Sequence, residues 1–315
     1  MSNKNFFSAV AVAFVLGMMA AGTVRAQQAS PEGVPAHLVV TVEPHKGKEV
    51  PTIGRDDVMV YEGKERDQVV DWIPAQGDHA ALELFVMLDD GSNSTLGTQI
   101  EDIKKFINEQ PSTTAVGVAY MQNGIAKVEQ NPTTDHALAA KAIRLPVGLR
   151  GINGSPYFSL TDLVKRWPES KARREVFMAT DGIDRYYGSG DLEDPYLQAA
   201  IDDAQRAGIL VSAIYTPGIG HFGHSYWQTY WGQLYLAELA EKTGGEAYYI
   251  GFTGPPVTFT PYLEQFAQRL SHQYFLAFLA KPPKKPGLQR VRVRTEVQNA
   301  DLVSAQEVYV APPAR

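Results

Sequence analysis

Between residues 81 and 270 the chain switches repeatedly from short apolar runs to stretches of helical spacing, and this alternation constrains the fold more than any other feature. Strands joined through helices run parallel, because a helical crossover carries the chain back to the edge of the sheet where the previous strand began. Apolar runs at 82–88, 115–121, 175–179, 209–215 and 247–250 read as strands. Helices are expected over about 98–109, 135–143, 160–167, 195–207, 232–242 and 261–270. Asn123-Gly124 turns the second strand back into 125–128, which makes one antiparallel hairpin. Gly208 and Thr243-Gly244-Gly245 fall where helices should stop. The predicted fold is α/β, with a doubly wound and mostly parallel sheet.

The flanks differ. After a linker at 27–35, β-like runs occupy 37–42, 58–62 and 68–73, and others follow the α/β region at 273–280, 288–297 and 302–310. Within 291–297 apolar and polar residues strictly alternate, so one face of that strand is buried and the other is wet. The division expected is an N-terminal linker and β region over 27–80, an α/β domain over 81–271 and a C-terminal β region over 272–315. The two β regions are expected to pair into one small module, with the α/β domain inserted between them.

Residues 1–26 have the three parts of an export signal: Lys4, an apolar run over 6–21, and the cleavage site Val24-Arg25-Ala26. The run is shorter than the roughly 20 residues of a spanning helix, so a periplasmic or extracellular product with no stable membrane insertion after cleavage is expected. The sequence has no cysteine, which excludes disulfides, thiolate metal sites and cysteine nucleophiles. Any metal must be held by oxygen or nitrogen. The net charge of −6 becomes −8 once Lys4 and Arg25 leave with the leader, a balance unsuited to coating a phosphate backbone, and no nucleic-acid partner is expected.

Two apolar runs end in acid. The stretch 82–94 closes on Leu88-Asp89-Asp90-Gly91-Ser92-Asn93-Ser94, and 174–182 closes on Thr180-Asp181-Gly182. Both place carboxylates at the C-terminal edge of the sheet, where open α/β folds bind ligands. Asp90, Ser92 and Ser94 are three hard oxygen ligands at alternate positions on one loop, and Ser155, after the glycine-rich 151–154, adds a hydroxyl from another. Such a set suits Mg²⁺.

With these residues the chain resembles the von Willebrand factor A (VWA) family, whose metal-ion-dependent adhesion site (MIDAS) combines Asp-x-Ser-x-Ser, a Thr and an Asp. The resemblance covers about 81–270, and the flanking β runs look similar to a secreted bacterial branch of VWA-related proteins. It implies Asp90, Ser92, Ser94, Ser155 and Asp181 as ligands of Mg²⁺ or Mn²⁺, with Ca²⁺ a further candidate. Ser155 stands in the Thr position and keeps the hydroxyl, and Asn93 stands where Gly often separates the serines. The function implied is non-enzymatic: a protein-binding, adhesion or scaffold module that captures a carboxylate of a partner protein at an open position on the ion.

Other readings are weaker. A haloacid-dehalogenase phosphatase needs Asp-x-Asp, which neither Asp89 nor Asp90 supplies. No Gly-x-Ser-x-Gly elbow or phosphate loop occurs. His221 and His224 lack an evident third zinc ligand, and 216–232 reads as a glycine-rich loop with the aromatic anchors Tyr226, Trp227, Tyr230 and Trp231. The acidic stretch Asp181, Asp184, Asp191, Glu193 and Asp194 lacks EF-hand spacing and reads as a solvated loop. A metal-dependent hydrolase, or an envelope protein with a vestigial site, are the alternatives.

Overall fold

A computed structural model describes residues 33–45, 49–91, 97–147, 154–186, 194–217 and 225–312. The first part contains the strands β1 (Val34–Pro44), β2 (Val58–Glu62), β3 (Glu65–Pro74) and β4 (Leu82–Asp89). Helix α1 (Gly97–Asn108), β5 (Thr114–Gln122), β6 (Ile125–Thr133), α2 (His136–Lys141), α3 (Pro156–Arg166) and β7 (Arg173–Thr180) follow. Then come α4 (Pro195–Ala207), β8 (Ile209–Tyr215), α5 (Tyr226–Thr243), β9 (Ala247–Tyr248) and α6 (Thr260–Ser271). The chain closes with β10 (Gln273–Ala280), β11 (Gly287–Arg290), β12 (Arg292–Thr295), β13 (Ala300–Ser304) and β14 (Glu307–Val310). Among the described residues no helix is long and apolar enough to cross a membrane.

Six strands form the α/β sheet in the order β6-β5-β4-β7-β8-β9, all parallel except the β5–β6 hairpin. The chain winds outward from β4 to β6 on one side, then starts again at β7 and winds to β9 on the other. The reversal of winding at β4 and β7 is a topological switch point, with a crevice beyond the C-terminal ends of those strands. Both faces are covered. Leu82, Leu84, Val86 and Leu88 point to the face packed by Ile103 and Phe106 of α1, Ala139 of α2 and Phe266 of α6. Phe85 and Met87 point to the opposite face, packed by Leu160 of α3, Ile201 of α4 and Leu236 of α5. A strand buried on both sides reads as a continuous apolar run, which is why these segments stood out in the sequence.

The remaining strands form a second six-stranded sheet in the order β12-β2-β3-β10-β1-β13, beside a β11–β14 ribbon. β1 lies antiparallel between β10 and β13, and β10 also pairs with β3, so strands from both ends of the chain share one sheet. Its buried face carries Val40, Val42, Val60, Leu276, Phe278 and Val293.

A buried polar junction joins the two sheets. Gln273 on β10 donates to Glu175 Oε1 on β7 at 2.5 Å and to Thr41 Oγ1 on β1 at 3.4 Å, while Arg173 donates to Gln273 Oε1 and, at 3.0 Å, to the Leu270 carbonyl. Glu175 is 2% exposed. Burial pushes its carboxyl up to about 7, against the opposing pull of Arg173 and Gln273. The folded protein therefore holds a proton here that the unfolded chain, titrating near 4.5, has already released. That contribution to stability is complete below about pH 4.5 and is lost as pH rises through about 7. Unfolding free energy from urea titrations should fall between pH 5 and 7, with Glu175 contributing up to about 1.4 kcal/mol per pH unit. Glu175→Gln should flatten the slope; an unchanged slope in that variant would show that Glu175 is not its source.

Candidate functional site

The two acidic strand ends meet at the switch point. β4 delivers Asp89 and Asp90, and β7, hydrogen-bonded beside it, delivers Thr180 and Asp181. The Thr180 hydroxyl donates to Asp89 Oδ2 at 2.8 Å, and the Gly91 N–H donates to Asp89 Oδ1 at 2.9 Å. Loss of water around the carboxyl, and then the neighbouring Asp181 charge, push Asp89 up to about 6, against Arg185, Thr180 and Gly91. Of the two consecutive aspartates, Asp89 is the one turned towards β7.

Asp90 turns the other way, towards the end of β5. Its Oδ1 accepts from Arg144 Nη1 at 2.7 Å and from the Val147 N–H at 2.9 Å, and the Gln122 amide donates to Oδ2. Asp90 is 1% exposed. Burial alone would raise its carboxyl; the Arg144, Val147 and Gln122 hydrogen bonds hold it below the ordinary carboxylate range. Arg144 is itself fixed: its guanidinium lies 3.8 Å from the centre of the Tyr120 ring, and the Tyr120 hydroxyl donates to its carbonyl while accepting from its N–H, both at 2.7 Å.

Asp181, also 1% exposed, accepts from the Ile183 N–H at 2.9 Å and from Arg185 Nη2 at 2.5 Å. Ser155 caps the start of α3, with Pro156 in the first turn, and accepts from the Phe158 N–H at 3.3 Å. The Ser155 hydroxyl donates to Asp184 Oδ2 at 2.6 Å, the Arg185 N–H donates to the Gly154 carbonyl at 3.1 Å, and the Tyr157 hydroxyl donates to the Gly182 carbonyl at 2.6 Å. Three hydrogen bonds thus knit the segment carrying Ser155 to the segment carrying Asp181. Ser92 and Ser94 lie outside the described residues.

The structure ties the segment carrying Ser155 to the segment carrying Asp181, and leaves Asp90 on the adjoining strand end turned away from β7. The residues that sequence reasoning missed are the two arginines. Arg185 stands four residues after Asp181 and could have been noticed from that spacing alone. Arg144 is 54 residues from Asp90 and carries no local signal. Among the described residues no three His, Asp or Glu side chains converge as a metal ion would require. The donors present are nevertheless all oxygen, the chemistry of a hard cation. Their charge is balanced here by guanidiniums, Arg144 at Asp90 and Arg185 at Asp181.

Two expectations are corrected. The segment 216–232 is not a loop throughout, because α5 begins at Tyr226. The Ser225 hydroxyl accepts from the Gln228 N–H at 3.2 Å and the Gln228 side chain accepts from the Ser225 N–H at 3.1 Å, a reciprocal cap that starts the helix two turns early. Tyr226, Trp227 and Tyr230 are 72%, 65% and 49% exposed along those turns. His221 and His224 lie outside the described residues. The acidic stretch is not solvated where it is described: Asp184 and Asp194 are buried. Asp184 accepts from the Tyr186 N–H, and Asp194 caps α4 by accepting from Tyr196 and Leu197. Asp191 and Glu193 lie outside the described residues.

No family model and no curated protein matches the sequence. Among solved structures the chain is similar to an aerotolerance-related membrane protein from Bacteroides fragilis, with 16% identity, 60% of this chain and 98% of that chain covered, and a TM-score of 0.42. It is similar to the SpRpn10 VWA domain at 13% identity, 59% and 95% coverage and a TM-score of 0.39. Three N-terminal domains of the type V pili tip protein Mfa5 from Porphyromonas gingivalis are similar at 10% identity, 89% and 67% coverage and a TM-score of 0.42. These are likenesses of chain course alone.

Proposed function

We propose that this chain is an exported, non-catalytic protein-binding module of the VWA type, and that its binding surface is the C-terminal edge of the α/β sheet. The observation that supports this reading most directly is the pairing of the Asp89-Asp90 and Thr180-Asp181 strand ends at the switch point. Asp90, Ser92, Ser94, Ser155 and Asp181 would hold Mg²⁺, or Mn²⁺ or Ca²⁺ in its place. Such an ion supplies an open coordination position for a carboxylate of a partner protein, and its charge lets an acidic chain bind an acidic group. Around it the chain's own groups act as positioning residues. Ser155 is oriented by Asp184, the two strand ends are tied by the Thr180–Asp89 hydrogen bond, and Arg144 and Arg185 balance the acids when no divalent ion is present.

The test is a thermal melt of the chain lacking its leader. Saturating Mg²⁺ or Mn²⁺ should raise the melting temperature, by an amount equivalent to about 2.7 kcal/mol at a hundred times the dissociation constant. Asp90→Ala and Asp181→Ala should lose that response. A wild-type melt indifferent to both Mg²⁺ and EDTA would overturn the metal-dependent reading.

A further inference from the structure

Far from the acidic edge, a cleft of about 550 Å³ opens between the N-terminal edge of the α/β sheet and the second sheet. This is within the range of small-molecule sites, about 300–1,000 Å³. Its interior is apolar, with Ile209, Leu210 and Val308 buried and Phe275 half-buried, and His37, Ser170, Lys171 and Gly208 are exposed at its rim. Among the described residues the charged ones lining it are Lys171, Arg173 and Arg174, with no Asp or Glu. In a chain with more acids than bases, that sign is distinctive.

The two arginines are incompletely compensated. Arg173 and Arg174 are 5% and 9% exposed, and neither forms a salt bridge among the described residues. Among the described residues Arg174 donates to the carbonyls of Pro168, at 3.3 Å, and Ala207, and its guanidinium lies 5.9 Å from the centre of the Trp167 ring. Arg173 donates to Leu270, Gln273 and Ala80, and its buried Nε has no partner. Burial pulls both guanidiniums below their ordinary range; the nearby charges of Glu83 and Glu169 oppose this at Arg174, and Glu175 opposes it at Arg173. A buried guanidinium facing carbonyls rather than a carboxylate is stabilised by an incoming anion.

We propose that this cleft binds a small apolar carboxylate of the fatty-acid type, its chain against Leu210, Val308 and Phe275 and its carboxylate held by Arg174 with Lys171 at the rim. Charge complementarity selects the anion, and the apolar interior selects its chain.

Calorimetric titration of decanoate and decanol into the protein tests this, because the two probes differ only in the head group. Decanoate should bind at least about tenfold more tightly than decanol, the worth of one charge-assisted contact. Arg174→Gln should remove that preference and leave decanol binding unchanged. Equal affinity for the two probes, or a preference that survives Arg174→Gln, overturns the proposal. Where Arg174→Gln fails to fold, hydrogen exchange on the wild-type chain decides: decanoate should slow exchange at 205–210 and 305–308. No slowing there, or slowing confined to the acidic edge, overturns it. Neither measurement depends on a divalent ion, so this site and the proposed metal site stand or fall separately.

Discussion

Replacing Arg185 with leucine is expected to lower the unfolding free energy at pH 7.5 by about 3–5 kcal/mol, the cost of leaving a buried charge without its partner. The reason is local crowding of one sign. Arg185 bonds Asp181 and is also felt electrostatically by Asp89 and Asp184, so its loss leaves three carboxylates around one place. The loss should shrink towards pH 5, as Asp89, whose carboxyl is pushed up to about 6, takes up its proton, and urea titrations at the two pH values measure it. A change under about 1 kcal/mol at pH 7.5 would mean that solvent already screens these acids. The same variant also probes the proposed function. Where a divalent ion binds by exchange with the guanidinium, Mg²⁺ should raise the melting temperature of Arg185→Leu more than that of the wild type.

The second large effect is expected from Gly232→Ala. The second turn of α5 rests directly on the backbone that follows β7: a Cβ on Gly232 would lie 2.3 Å from the Asp181 carbonyl oxygen, and one on Gly182, whose φ is +70°, 2.3 Å from the Gly232 carbonyl oxygen. Neither neighbour is a flexible side chain. An added methyl must lift the helix off the strand end, at a cost of about 3 kcal/mol by analogy with overpacked cores. The displaced backbone is that of Asp181, so on the proposed function the Mg²⁺ response should weaken along with stability. Gly254→Ala, which meets nothing within 4 Å, is the control and should be near neutral. Equal stability of the two variants, measured by urea titration, would show that α5 does not seat as closely as described.

The sequence by itself determined the layered architecture. Runs such as 82–88 and 175–179 are apolar enough to mark strands buried on both faces, and Gly208 and Gly244, both left-handed, end the helices where the sequence stops them. These signals are legible because burial on two faces and helix termination are decided by residues within one segment. The start of α5 was missed despite its local signal, Ser225 followed three residues later by Gln228, because the glycines and aromatics around it suggested a loop.

What only the tertiary structure decided is the state of the acids. Asp89 and Asp90 are neighbours in sequence, yet the strand ends by sending one towards β7 and Thr180 and the other towards β5 and Arg144. Periodicity places both at the sheet edge and says nothing about which guanidinium will face each. The pairing of Val34–Pro44 with Gln273–Ala280 is likewise set by contacts between segments more than 200 residues apart, and it is that pairing which closes the basic cleft around Arg174. Charge partners and clefts depend on the distances between elements, which no pattern along one chain contains. The alternation that first defined the sheet therefore fixes where a site can be, and long-range packing decides what charge it presents.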